Sequence, residues 1–373
     1  MTVKTIAIAA LLGSACTAQA GGIDRSGQSI LALFESGRYA EFSLGSVSPD
    51  TSGVGAGTIP SPSTPTPGAG SGDMTSSFLQ LGAAYKADIN DRLSYAIIYD
   101  QPFGADVDYP TGTGYFARGS MAELDAHAIT GLMRYKFDNN FSVHGGIRLQ
   151  SIEATAAVPF IPGGYTVEGD RDIGVGYVIG GAYERPDIAL RVALTYNSGI
   201  KHDVDTSEVS VLGTTTSNTK IETPQSVNLD FQTGIAQDTL LFGGIRWVEW
   251  SEFDITPADY NTITGGSLVS YDNDVFSYSL GVGRRLNENW SVSASVGYEK
   301  SNGGFASNLG PTDGSKSMAL AAIYTKDNMK ITTGIRYINI GDAQTSIDGG
   351  ATAASNFKDN HAVAIGVKVG YTF

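Results

Sequence analysis

The last twelve residues, AVAIGVKVGYTF (362–373), alternate to the final position. Val363, Ile365, Val367, Val369, Tyr371 and Phe373 share one face, and Ala362, Ala364, Gly366, Lys368, Gly370 and Thr372 the other. A strict period of two marks a β-strand held between two unlike environments. Left at the edge of an open sheet, such a strand offers unpaired backbone groups and invites aggregation. A closed barrel removes the edge by pairing the last strand with the first. In a membrane barrel the apolar face meets lipid and the small or polar face meets the lumen. This reading requires an export signal, many similar strands, and connections sorted by length.

Residues 1–20, MTVKTIAIAALLGSACTAQA, read as a signal peptide: Lys4, an apolar run from Ile6 to Leu12, then Ala18-Gln19-Ala20 as a small-x-small cleavage site. The apolar run is too short to span a membrane. Cys16 raises a lipoprotein alternative, but Gly13 stands where that signal carries an apolar residue. Cleavage after Ala20 leaves a chain without cysteine, which excludes disulfide and thiolate chemistry. Mean hydropathy near zero, with no later apolar run of about 20 residues, excludes a helical membrane protein. The net charge of −14 argues against a nucleic-acid partner.

Fourteen alternating segments follow, at 37–49, 74–88, 91–103, 123–137, 140–155, 171–186, 188–203, 219–234, 238–253, 275–286, 289–300, 317–326, 328–341 and 360–373. Six tight connections carry turn residues, such as Asp138-Asn139-Asn140 and Asn287-Glu288-Asn289. They alternate with seven long ones at 50–73, 104–122, 156–170, 204–218, 254–274, 301–316 and 342–359. This predicts an all-β fold: a membrane-spanning, antiparallel, up-and-down barrel of 14 strands over 37–373, in the outer membrane of a Gram-negative bacterium, with both termini periplasmic. Phasing puts Leu79, Leu81, Ile97, Val175, Tyr177, Ile179, Leu194, Trp290 and Tyr298 among the lipid-facing residues. It turns Arg134, Lys136, Arg148, Arg191, Arg246, Arg336 and Lys368 inward. Asp100, Asp230 and Glu299 also phase inward, where they would balance that charge.

Residues 21–36, GGIDRSGQSILALFES, do not alternate, yet Ile30, Leu31, Leu33 and Phe34 form an apolar cluster. A solvated terminus rarely carries four large apolar side chains, so the segment reads as a short plug inside the barrel, its cluster lining an apolar substrate site. The competing reading is a disordered terminus.

Several stretches resemble the FadL family of outer-membrane transporters for long-chain fatty acids and other hydrophobic compounds. These are GGIDRSGQSILALFESGRYAEFSLGSVSPD (21–50), YNSGIKHDVD (196–205), ETPQSVNLDFQTG (222–234) and RWVEWSEF (246–253). The resemblance implies a fourteen-stranded barrel with an N-terminal hatch, and release of ligand sideways beside a kinked strand. One departure is plain: the family's longer hatch carries Asn-Pro-Ala, absent between 21 and 50. The function expected is passive uptake of long-chain fatty acids or other hydrophobic small molecules. Barrel assembly machinery and outer-membrane lipids are the further partners, detergent an occupant in purified samples, and no cofactor is expected. Arg148, Arg191, Arg246 and Arg336 are the candidates for holding a carboxylate head group.

Two rivals stand beside this. A general diffusion porin for polar solutes would pass ions steadily, which a plugged barrel would not. A lipid-modifying enzyme would need a nucleophile, base and oxyanion site within reach of one another. There is no Gly-x-Ser-x-Gly, and the four histidines, His127, His144, His202 and His361, form no motif. Asp272-Asn273-Asp274 has too few oxygen ligands nearby to read as a calcium site.

Overall fold

The computed structural model describes residues 23–56, 67–347 and 350–373. The expected signal peptide, 1–20, lies outside the described residues. Fourteen wall strands run in chain order: β1 (Tyr39–Asp50), β2 (Phe78–Asp88), β3 (Leu93–Asp100, resumed at Gly104–Asp108), β4 (Met121–Lys136), β5 (Phe141–Ala157), β6 (Thr166–Arg185), β7 (Leu190–Asn197, resumed at Ile200–Ser210), β8 (Gly213–Thr223, resumed at Ser226–Ala236), β9 (Thr239–Val248), β10 (Val275–Arg285), β11 (Trp290–Glu299), β12 (Ser315–Lys326), β13 (Met329–Ile340) and β14 (His361–Thr372). Each is antiparallel to its neighbours, and β14 closes on β1 from Tyr39↔Thr372 to Asp50↔His361.

Alternation survives in the side chains. Leu79, Ile97, Val175, Tyr177, Ile179, Leu194, Ile365 and Tyr371 point outward and are exposed. Arg134, Arg148, Arg246 and Lys368 point inward and are buried. Aromatic pairs ring the wall near one end, among them Tyr85–Tyr95, Phe141–Tyr183, Trp290–Tyr324 and Tyr371–Phe373. A second set, including Tyr177–Tyr196 and Tyr278–Tyr298, lies further along the strands. Two such belts bracket the apolar band of a membrane barrel.

The tight turns gather at one end and are built by their own side chains. Asn90 Oδ1 accepts from the N–H of Arg92 (3.0 Å) and Leu93 (2.9 Å); Asn287 Oδ1 does the same for Asn289 and Trp290. Asn140, Asp238 and Asp327 take positive φ, which short polar side chains tolerate.

At the other end the long connections pack into a cap. It contains a small four-stranded sheet, the helix Ala258–Thr264, and a core around Met74, Tyr109, Tyr115, Phe116, Tyr165 and Phe357. Tyr109 Oη donates to the Asn308 carbonyl at 2.6 Å, and Tyr115 Oη bonds Ser355 Oγ at 2.5 Å, tying three loops together. Burial pushes the Tyr115 phenol up to about 12, so it stays protonated there.

One expected loop is not a loop. Residues 204–218 continue the wall, because β7 and β8 run on as a hairpin, Ile200–Ser210 against Gly213–Thr223. The stretch is rich in β-branched threonine and valine, and a strand need not stop where the lipid does. The connection at 156–170 shrinks likewise, with Ala157 and Thr166 already paired.

Candidate functional site

Residues 23–38 run through the lumen from beneath the cap to the turn end. Strand β3 is broken at Gln101-Pro102-Phe103, where proline supplies no ladder donor. The N-terminal segment pairs there instead: Arg25 N–H donates to the Pro102 carbonyl (2.8 Å), Gly104 N–H to the Ile23 carbonyl (2.9 Å), and Asp24 bridges Phe103. Strand β2 turns away over the same stretch. Ala83 faces Tyr99 and, eight residues further along both strands, Thr75 faces Val107, yet the ladder between is interrupted. Arg25 fills the gap, paired with Asp106 and stacked 3.9 Å from the Phe78 ring centre.

Below this point a buried polar hub fixes the segment. Asp24 accepts from Arg246 Nε at 2.7 Å, with its own side chain fully buried. Arg246 also donates to Ser226 (3.0 Å), Asn228 (2.8 Å) and Gln28 (3.2 Å), and Ser26 Oγ donates to Asp100 at 2.5 Å. A charged pair removed from water holds only when its remaining donors and acceptors are met, as they are here. The one-turn helix Leu31–Phe34 follows. Ile30, Leu33 and Phe34 are buried against Ala84, Ala96, Ile98, Leu132, Val178 and Ala182 of the wall. Burying each contributes about 1.5–3 kcal/mol.

Three spaces surround the segment. At the turn end lies a cavity of about 500 Å³, walled by Glu35, Glu41, Arg134, Lys136, Glu184 and Lys368. Beside the segment a cavity of about 130 Å³ is lined by Ser277, Ser279, Ser295 and Ser317 with Glu299 and Arg336. Beneath the cap a cleft of about 60 Å³ is lined by Ile23, Leu124, Val204, Ile221, Phe253 and Leu268. Phe103 and Trp250, T-shaped at 5.8 Å, belong to the same apolar cluster. Among the described residues no lysine or arginine lines this cleft.

The expected site residues divide between these places. Leu31 and Phe34 border the turn-end cavity, while Ile30 and Leu33 face the wall. Phe34 lies 4.5 Å from the Arg134 guanidinium and 4.9 Å from that of Arg191, which donates to Gln232. Arg148 donates to Thr130 (2.9 Å) and Asn197 (3.0 Å) of the wall. Arg246 holds the N-terminal segment, and Arg336 borders the serine-lined space. The close acidic partners are Glu184 for Arg134, Asp24 for Arg246 and Glu41 for Lys368. Sequence reasoning passed over Asp24, Arg25 and Gln28, and over Phe103, Trp250, Phe253 and Tyr271. For the first group the available signal was the charged pair Asp24-Arg25 shortly ahead of the apolar cluster.

The chain belongs to the outer membrane protein transport protein (OMPP1/FadL/TodX) family, whose model matches residues 68–373. It is thus an outer-membrane β-barrel transporter of hydrophobic compounds. Solved structures share the fold. A FadL homologue from Pseudomonas aeruginosa is 14% identical over 92% of each chain, with a TM-score of 0.75. The toluene transporter TodX of Pseudomonas putida is 13% identical over 92% of each chain, with a TM-score of 0.65. The CymD monoaromatic hydrocarbon channel is 13% identical over 92% of this chain and 90% of its own, with a TM-score of 0.59. No curated protein sequence matches the chain.

Proposed function

We propose that this barrel takes up small uncharged hydrocarbons passively, with the capped end outside the cell and the turns and both termini in the periplasm. The cleft beneath the cap carries the reading. It is mainly apolar, and among the described residues it is lined by one carboxylate, Glu123, and no cationic residue, so it suits a ligand with no carboxylate to neutralise. Among the described residues the guanidinium groups that border cavities lie elsewhere, Arg134 and Arg191 at the turn end and Arg246 and Arg336 beside the N-terminal segment.

Residues 23–38 act as the hatch. A dry apolar cavity of about 150 Å³ accommodates benzene, so the cleft at about 60 Å³ is its closed form and must widen. Each CH₂ that leaves water contributes about 0.8 kcal/mol, enough to draw the ligand in without another energy source. Displacement of Ile23 and Arg25 from the β2–β3 interruption then opens the wall, and ligand leaves sideways into the membrane. The titles borne by TodX and CymD, a toluene transporter and a monoaromatic hydrocarbon channel, point the same way.

Accumulation of labelled toluene and of labelled oleate is compared in cells with and without the protein. Toluene uptake that depends on the protein, with oleate unchanged, is expected. Dependence of oleate alone would replace this reading with fatty-acid transport. Steady ion conductance in planar bilayers would replace it with a porin.

A further inference from the structure

Strands β6 and β7 are paired at both ends and apart in the middle. Val178–Arg185 pair with Leu190–Asn197, and Thr166–Gly169 with Thr206–Val209. The intervening stretches, 170–177 and 198–205, are equal in length. The register is therefore the same on either side: Val178 faces Asn197 and, nine residues along both strands, Gly169 faces Thr206. The Ser198 N–H donates to the Tyr177 carbonyl at 3.0 Å at the lower corner.

Side chains stand where the ladder is missing. A Cβ at Gly174 would lie 2.4 Å from Ile200 Cγ2, so only glycine leaves Ile200 room to lie against the β6 backbone. His202 is wedged above it, Nδ1 3.0 Å from Asp172 Oδ2 and Nε2 3.3 Å from Gln150 Nε2.

The place matters as much as the gap. On the lumen side its upper corner, Gly169, Val204 and Thr206, lines the apolar cleft. On the outer side Ile173 and Val175 of β6 are 67% and 63% exposed, and Lys201, Asp203 and Asp205 of β7 are exposed beside them. The slit thus crosses the wall where the apolar band gives way to charge. Straight above the cleft, the cap buries Tyr109, Tyr115 and Phe357 completely.

We propose that the β6–β7 interruption is a side port, shuttered by Ile200 and His202, that admits hydrophobic molecules from the membrane boundary into the cleft. Backbone groups bared by a moving shutter need water. The boundary supplies it, and deeper lipid does not, which accounts for the ladder resuming at Val178. Pairing in one register at both ends holds the two strands in place while the shutter moves. The port's use rests on the transport reading above; its existence does not.

Two measurements test it. With Cys16 in the expected leader, the processed chain has no other cysteine to interfere. In Asp172→Cys/His202→Cys, whose parent side chains meet across the gap at 3.0 Å, oxidation is expected to bring toluene uptake down to that of cells lacking the protein, and reduction to restore it. A disulfide confirmed by electrophoretic mobility with uptake unchanged overturns the port. The reduced protein's own uptake, set against cells without it, tests the transport reading separately. The second measurement needs no transport. In proteoliposomes, Val204→Cys is alkylated by membrane-dissolved N-phenylmaleimide with and without Ile200→Ala. Faster labelling with the smaller residue is expected, and equal or slower labelling overturns the port.

Discussion

Two interruptions of the barrel wall, between β2 and β3 and between β6 and β7, are sealed differently. Between β2 and β3 the gap is filled from inside by another part of the chain: Ile23 and Arg25 take the backbone bonds that β2 gives up. Between β6 and β7 the strands' own side chains fill it, Ile200 against Gly174 and His202 against Asp172. In both, pairing resumes in register. A seal made by a separate segment is tied to whatever holds that segment, here Arg246 and the helix at the turn end. A seal made by local side chains answers only to its own neighbours. The first gap is therefore coupled to the N-terminal segment and the second is independent of it.

The largest expected break in this contrast is Asp24→Ala. It leaves Arg246 buried without its carboxylate, at a cost of about 3–5 kcal/mol. Amide exchange at 76–82 and 100–106 should rise sharply, while 170–177 stays as in the parent; equal acceleration at both sites would show the gaps to be coupled. Leu33→Ala comes next. Removing a fully buried leucine costs about 2–5 kcal/mol, and the loosened helix should become cleavable by trypsin at Arg38 in a barrel that still shows normal heat-modifiable mobility. Continued resistance would mean that the polar hub alone holds the N-terminal segment. Pro102→Ala is the smallest. It returns a backbone donor to β3 at an effect of at most about 1 kcal/mol, and should lower toluene uptake modestly without altering Val204→Cys labelling. Raised uptake would show that the kink is not part of the exit.

Much of the wall could be read from period two and the sorting of connections by length, because lipid and lumen impose opposite demands on alternate residues. The interruptions could not. Alternation holds between the slips, with Ile173, Val175 and Tyr177 outward and Gly174 and Gly176 inward, and the slips are short: Asp170 and Arg171 are both exposed, and the buried pairs Asn197/Ile200 and Asp100/Phe103 are each three residues apart, too brief a break for the pattern alone to mark as a lost backbone ladder. The apolar cluster at Ile30–Phe34 was visible because it is local. Its polar anchors were not, since Asp24 meets Arg246 222 residues away and Gln28 meets Ser226 at a separation of 198. The cleft was hidden for the same reason: Ile23, Val204, Phe253 and Leu268 come from four separate stretches.

The course of the N-terminal segment has a practical consequence. It enters the wall at Tyr39 from the turn end, but its far end, Ile23, lies high in the lumen against the cleft. A polypeptide joined directly ahead of Ile23 would therefore continue from a point inside the barrel. A purification handle placed there would compete with the ligand for the same cleft, and an inactive tagged sample would report on the handle rather than on the transporter.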